Sequence, residues 1–223
     1  MHAKFVWLGS WTGAILVAAC VGCGKSDGTS PSAETDAKGA TASIPGGPAK
    51  PNLDPLHPMV VFETTLGNLT VRLDAEKAPI TVDNFLTYLD QGHYNQTMVH
   101  QVFQGQGFIG GGFGLDLSER PTRPAIRNEA HNGLKNRRGT VAMVRSIDAI
   151  DSGRSQFFFN VADNESLDHK DRTLEGYGYC VFGEVVSGAD VLDKIGAVAV
   201  HDTPQFERTP TQPVVIKSVR RSR

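Results

Sequence analysis

The chain has 223 residues and a formal net charge of -2, which allows one sizeable domain with extensions. This charge argues against a nucleic-acid partner, because such proteins carry a basic excess or stripe and the basic C-terminal run VRRSR is short. Three cysteines give no disulfide framework or second Cys-x-x-Cys motif, and the seven histidines form no closely spaced pair, so we expect neither a metal nor a cofactor.

Residues 1–23 have the pattern of a bacterial lipoprotein signal. Lys4 precedes an apolar stretch that is interrupted by Gly, Ser and Thr, and is too short for the ~20 apolar residues of a membrane-spanning helix. The end of this stretch, Val17-Ala18-Ala19-Cys20, resembles a lipobox, in which the cysteine is lipidated and becomes the mature N-terminus. We therefore expect a lipid anchor on Cys20. Cys23 is a poorer match, and an ordinary cleaved signal is the alternative.

Residues 24–58 differ in composition from everything after them. The segment is rich in Ser, Thr, Ala, Gly and Pro, and it contains half of the 12 prolines of the chain. It has almost no large apolar side chains, so it cannot bury enough surface to fold alone. We predict a disordered tether that holds a domain away from the membrane, which places the domain in the bacterial cell envelope and outside the cytoplasm.

From Met59 the pattern becomes that of a folded domain, predicted over residues 59–223. Two alternating runs flank Gly67-Asn68 and predict a β-hairpin. Pro79 and the apolar spacing after it predict a helix that ends near Gly92. A second helix is predicted from the sequence SGADVLDKIGAV. Further strands are expected around 98–103, 108–113, 140–144, 157–161, 180–185 and 213–219.

Many short strands and two helices without βαβ alternation predict an antiparallel barrel or sandwich with helices over its ends. Several long motifs in this region resemble bacterial cyclophilins. They are GHYNQTMVH, GGGF, IRNEAHNGLKNRRGTVAM, SQFFFNVADNESLD and GYCVFGEVVSGADVLDKI. The resemblance runs from about Met59 to Val219. It implies a mainly β fold, an eight-stranded antiparallel barrel capped by two α-helices, and peptidyl-prolyl cis-trans isomerisation without a cofactor.

That reaction requires rotation about an X–Pro amide, whose barrier is about 20 kcal/mol. No bond breaks, so the site must bind the twisted amide better than either planar form. Twisting returns the lone pair to the prolyl nitrogen, and a hydrogen-bond donor aimed there stabilises only the transition state. In cyclophilins an arginine is that donor, apolar side chains hold the proline ring, and a glutamine holds the peptide.

The family arginine follows the histidine of a Phe-His-Arg triplet, and here the triplet is Val99-His100-Gln101. The resemblance therefore assigns the catalytic position to Gln101, a neutral residue. The Phe-Met pair of the proline pocket falls on Gln106-Gly107, and the glutamine before the glycine triplet falls on Ile109. The late-loop aromatic becomes Ser166. The substrate-binding positions implied by the resemblance are Gln106, Ile109, Arg145, Gln156, Phe158, Leu167 and Tyr179.

Two functions follow from this pattern. The first is an isomerase of reduced or altered activity that acts on proline-containing polypeptides in the envelope. The second is a cyclophilin-like module that binds extended peptides without turning them over, which the polar or small residues at Gln101, Gln106, Gly107 and Ser166 favour. Arg145 is expected at the rim of the binding groove rather than as a displaced catalyst. We expect the chain to be monomeric.

Overall fold

The computed structural model describes residues 54–222. The predicted signal segment, Cys20, Cys23 and most of the predicted tether lie outside the described residues. Residues 54–58, predicted as tether, are described, and the carbonyls of Leu56 and Pro58 accept hydrogen bonds from Ala75 and Leu73. Within residues 54–222 no helix has the length and apolar character that a membrane crossing requires.

Ten strands and two α-helices make up the described part of the chain. In chain order they are β1 (Met59–Thr64), β2 (Gly67–Leu73), α1 (Pro79–Asp90), β3 (Thr97–Phe103), β4 (Gly107–Gly114), β5 (Thr140–Met143), β6 (Phe157–Asn160), β7 (Val181–Ser187), α2 (Ala189–Gly196), β8 (Val200–His201), β9 (Thr209–Pro210) and β10 (Val215–Arg221). Two short 3₁₀ helices cover Ala130–Asn132 and Glu165–Leu167.

Eight of these strands close into an antiparallel barrel in the order β1-β10-β3-β4-β6-β5-β7-β2. The predicted barrel with two helices is confirmed, and the predicted strands lie within two residues of the observed ones. The sequence does not predict β8 and β9, which pair with each other as a separate two-stranded sheet. Each is two residues long, which is too short to show an alternating pattern.

The barrel interior is filled by aromatic side chains from facing strands and from α1. Phe62 on β1 contacts Phe157 and Phe159 on β6 edge-on, with ring centroids 5.5 and 5.4 Å apart. Phe85 on α1 lies 5.3 Å from Phe182 on β7, so the helix closes one end of this core. The close-packed interior fixes the strands whose outer faces carry the candidate site.

Helix α1 begins as the sequence predicts, with Pro79 in its first turn, but no side chain of its own caps it. The cap comes instead from a distant loop. The Glu129 carboxylate accepts hydrogen bonds from the backbone N–H of Ile80 and Thr81 at 3.2 and 2.8 Å, and from the Thr81 hydroxyl at 2.7 Å. A carboxylate at this end of a helix also complements its dipole, so Glu129 ties its loop to α1.

Candidate active site

The barrel places three of the predicted site residues in one row across neighbouring strands. Gln101 on β3 pairs directly with Ile109 on β4, which pairs directly with Phe158 on β6. The row beside it, Val102, Phe108 and Phe159, belongs to the buried core. Because successive side chains of a strand point to opposite faces, Gln101, Ile109 and Phe158 lie on the outer face of the barrel. Of the three only Gln101 is half-buried, since Ile109 and Phe158 are 1% and 5% exposed.

Gln101 is half-buried. Its Nε2 donates a hydrogen bond to the Glu207 carbonyl at 3.3 Å, just before the short strand β9. An amide nitrogen carries two hydrogens, so one donor remains for a ligand. The catalytic position therefore holds a neutral donor whose orientation is set by a backbone carbonyl.

Tyr179 and Phe158 form an aromatic surface, the aromatic wall, at one end of this row. The ring of Tyr179 meets that of Phe158 edge-on, with centroids 5.6 Å apart. The backbone N–H of Tyr179 donates to the Leu167 carbonyl at 2.9 Å, which places Leu167 next to it. Burial raises the pKa of the Tyr179 hydroxyl, and the nearby Arg145 cation opposes this shift, so the phenol remains protonated at neutral pH.

Arg145, predicted at the rim of the groove, is only 8% exposed and is committed to internal hydrogen bonds. Its guanidinium donates to the carbonyls of Gly178, Ser146 and Leu174 at 2.9, 2.9 and 2.7 Å. The central carbon of the guanidinium also lies 5.1 Å from the centre of the Tyr179 ring. Arg145 thus fixes the loop that carries Tyr179, and this use of its donors leaves it unsuited to replace the missing catalytic cation.

Gln156 lies directly against the glycine triplet of β4. A Cβ atom built on Gly112 would be 2.5 Å from the Gln156 Cγ and 2.9 Å from its Nε2. Only a residue without a side chain leaves room for Gln156 in this position. The glycine at 112 therefore leaves room for the half-buried Gln156 side chain beside β4.

Gln106 contributes through its backbone, in the turn between β3 and β4. Its carbonyl accepts hydrogen bonds from Val161 N at 2.8 Å and from Asn164 Nδ2 at 3.0 Å. Asn164 in turn donates to Asn160 at 2.7 Å, and Asn160 donates to Asn136 at 3.3 Å. This partly buried amide network fixes the loop of Leu167, whose N–H donates to the Asn164 carbonyl at 2.9 Å. The sequence suggests it only through the asparagines of NVADNESLD.

Two further residues of β3, Phe103 and His100, border Gln101. Phe103 pairs directly with Gly107, so a large ring faces the position where the pocket methionine is lost. His100 packs between Phe113 and Phe206, with ring centroids 4.7 and 4.9 Å away. Burial lowers the pKa of His100 to about 3, so this ring is neutral and supplies no charge to the site.

The described part of the site has no activated nucleophile. Cys180 is buried, and burial raises the pKa of its thiol to about 12. The Ser155 hydroxyl is also buried and contacts no base, since its Oγ has no hydrogen-bond partner among the described residues. What remains is a neutral donor, an apolar and aromatic wall and a positioned glutamine, which together suit binding and rotation of a peptide without bond cleavage.

Comparison with known proteins identifies the relatives of this chain. The family model for cyclophilin type peptidyl-prolyl cis-trans isomerase/CLD matches residues 59–221. The chain is 45% identical over 161 residues to peptidyl-prolyl cis-trans isomerase A of Dickeya dadantii, which covers 72% of this chain and 83% of that protein. It is 46% identical over 161 residues to peptidyl-prolyl cis-trans isomerase B of Escherichia coli, covering 72% and 98%.

Among solved structures, the fold is similar to a cyclophilin type peptidyl-prolyl cis-trans isomerase of Cryptosporidium parvum. The TM-score is 0.61 at 22% identity, over 75% of this chain and 98% of that one. A second structure of that protein, determined in the presence of the dipeptide Ala-Pro, also gives a TM-score of 0.61.

Proposed function

The chain belongs to the cyclophilin-type peptidyl-prolyl cis-trans isomerase family, and from this membership we propose that it isomerises X–Pro bonds of exported or envelope proteins with reduced or altered activity. The observation that carries the proposal is the row of Gln101, Ile109 and Phe158 on the outer face of the barrel. A donor stands at one end of this row and an aromatic side chain at the other, which is the geometry that a rotating imide needs.

The neutral donor sets the expected activity. A charged donor makes a hydrogen bond roughly twice as strong as a neutral one, so Gln101 forfeits about 1–2 kcal/mol of transition-state stabilisation. This corresponds to a rate about 5- to 30-fold lower than with an arginine at this position. A positive charge at position 101 would thus raise the rate. Rotation of the X–Pro amide itself still requires a hydrogen-bond donor and a bound proline ring.

The proline pocket is changed as well. Gly107 has no side chain, and a Cβ atom there would be 2.5 Å from the Phe159 carbonyl oxygen, so a methionine does not fit without a backbone shift. Phe158, Leu167 and Tyr179 remain as the wall against which the ring packs. The loss of the methionine side chain at Gly107 removes one apolar contact with the proline ring and therefore favours weaker binding of proline.

The competing function is a peptide-binding module without turnover. The hydrogen bond of Gln101 to the Glu207 carbonyl favours it, because a donor held by the protein must be shared with the substrate. We prefer the isomerase, because the bond is long at 3.3 Å and the second amide hydrogen is not used by it.

The place of action is proposed from the N-terminal sequence. A lipidated Cys20 and the tether of residues 24–58 would hold the domain at a membrane in the envelope, where exported polypeptides expose X–Pro bonds. Cys20→Ser should abolish incorporation of a labelled fatty acid in cells. Incorporation that persists in this variant and disappears in Cys23→Ser would move the anchor to the second cysteine.

The test of the activity is a stopped-flow isomerisation assay on an X–Pro peptide with the full-length chain, compared with Gln101→Ala and Gln101→Arg. The isomerase predicts a rate above buffer that falls in Gln101→Ala and rises about 5- to 30-fold in Gln101→Arg. A rate equal to that of buffer for the unaltered chain, together with measurable peptide binding, would establish the binding module instead.

A further inference from the structure

Arg208 is the cation that the fold brings next to Gln101. The Glu207 carbonyl that accepts the hydrogen bond of Gln101 belongs to the peptide unit joining Glu207 to Arg208. The Arg208 carbonyl accepts the N–H of Val102, the residue after Gln101, at 2.9 Å. Arg208 therefore borders the catalytic position through two backbone contacts, although 106 residues separate Gln101 from Glu207.

The guanidinium of Arg208 lies on the same face of β3 as Gln101. Its central carbon is 5.3 Å from the centre of the Phe103 ring, and Phe103 is two residues after Gln101. Side chains two apart in a strand point the same way and are spaced by about 6.5 Å. The positive charge of Arg208 is thus held beside the groove, against the Phe103 ring that faces Gly107.

This guanidinium is available, in contrast to the other arginines near the groove. Arg145 is committed to three carbonyls, and Arg120 donates to the carbonyls of His93 and Gln96. Arg208 is exposed, and within residues 54–222 it forms no ion pair. An exposed cation–π contact shifts an equilibrium only about 2- to 5-fold, so the guanidinium can leave the Phe103 ring at little cost.

The backbone at Arg208 is held in an unfavourable conformation. Its φ is 57°, one of three positive values among the described non-glycine residues. The conformation is fixed by Asp202, whose carboxylate accepts the Arg208 N–H at 3.0 Å, and by the bond from Val102. Residues kept in such conformations by their surroundings concentrate at binding and catalytic sites.

We propose that Arg208 supplies the positive charge that Gln101 lacks, by moving from the Phe103 ring to donate a hydrogen bond to the X–Pro imide in the groove. This inference rests on the proposed isomerase function and adds a second donor to it. Arg208 then restores part of the stabilisation that a single arginine gives at the family position, so Gln101→Arg still raises the rate. No covalent step is involved, and the charge of Arg208 does not change.

The experiment measures kcat/KM for an X–Pro peptide with full-length Arg208→Met, Arg208→Lys and a matched control, Arg220→Met. Arg220 is an exposed arginine on β10 that pairs with Glu63. Arg208→Met should lower kcat/KM at least about 10-fold, as loss of a charge-assisted hydrogen bond does. Arg208→Lys should recover part of the loss, and Arg220→Met should match the unaltered chain. The melting temperature of each variant shows whether it is folded.

A second pair of variants separates a substrate contact from a structural role. In the Gln101→Arg background a cation already stands at the family position, so adding Arg208→Met should cost less than about threefold. An equal loss in both backgrounds would overturn the inference, and so would full activity of Arg208→Met. In either case the isomerase function would stand. If the unaltered chain shows no rate above buffer, the proposed function itself fails, and this inference fails with it.

Discussion

Mild acid should destabilise the fold through His100, the neighbour of Gln101. The ring is 1% exposed, its Nδ1 has no hydrogen-bond partner among the described residues, and two phenylalanine rings pack against it. Burial lowers its pKa from 6.5 to about 3, so the folded protein keeps it neutral at a pH where the unfolded chain protonates it.

The size of this destabilisation follows from the linkage between proton binding and folding. The unfolded state binds the extra proton below pH 6.5, so the stability that His100 contributes is complete above that value and is lost as the pH falls towards 3. From about pH 7 to about pH 5 the loss amounts to about 2 kcal/mol. His93 also has a lowered pKa through burial and acts in the same direction, so only a comparison of variants isolates His100.

Urea unfolding of the unaltered chain and of His100→Gln at both pH values measures this contribution. The free energy of unfolding should fall about 2 kcal/mol less in the variant, whatever constant penalty the substitution adds. His201→Gln, at an exposed histidine, is the control and should follow the unaltered chain. Identical pH dependence in His100→Gln and the unaltered chain would refute the argument from burial.

Two further predictions concern positioning and the fold. Gly112→Ala should displace the Gln156 side chain and lower kcat/KM about 10-fold, as Gln156→Ala should. Activity kept by Gly112→Ala but lost by Gln156→Ala would contradict the contact. Glu129→Ala should lower the free energy of unfolding, measured in urea, by about 2 kcal/mol, because it removes the cap of α1. The control Glu175→Ala, at an exposed glutamate, should change it by less than about 0.5 kcal/mol. Equal effects of the two substitutions would show that the cap contributes nothing.

The sequence is informative where structure is local. Alternation around Gly67-Asn68 and Pro79 at a helix start predict β1, β2 and α1, since these signals act within a few residues. The resemblance then supplies the row of Gln101, Ile109 and Phe158, which strand pairing brings together. The first signals are local, whereas the row depends on pairing between distant strands, which the family resemblance supplies.

The contacts that the sequence does not predict are long-range and involve irregular segments. Glu129 caps a helix 48 residues away, and Glu207 meets Gln101 across 106 residues. Such irregular segments have no sequence period, and their polar groups pair with whichever backbone N–H or carbonyl the fold brings near. Arg145 illustrates this, because its sequence position indicates a groove residue while its three hydrogen bonds go to the supporting loops.

The most direct test of the account compares two effects of Gln101→Ala in the full-length chain, on kcat/KM for an X–Pro peptide and on the dissociation constant of a proline peptide that does not react. Because the donor acts on the twisted imide, kcat/KM should fall about 10-fold while the dissociation constant changes by less than about twofold. An equal loss in both quantities would show that Gln101 only binds the planar peptide, and would contradict the account.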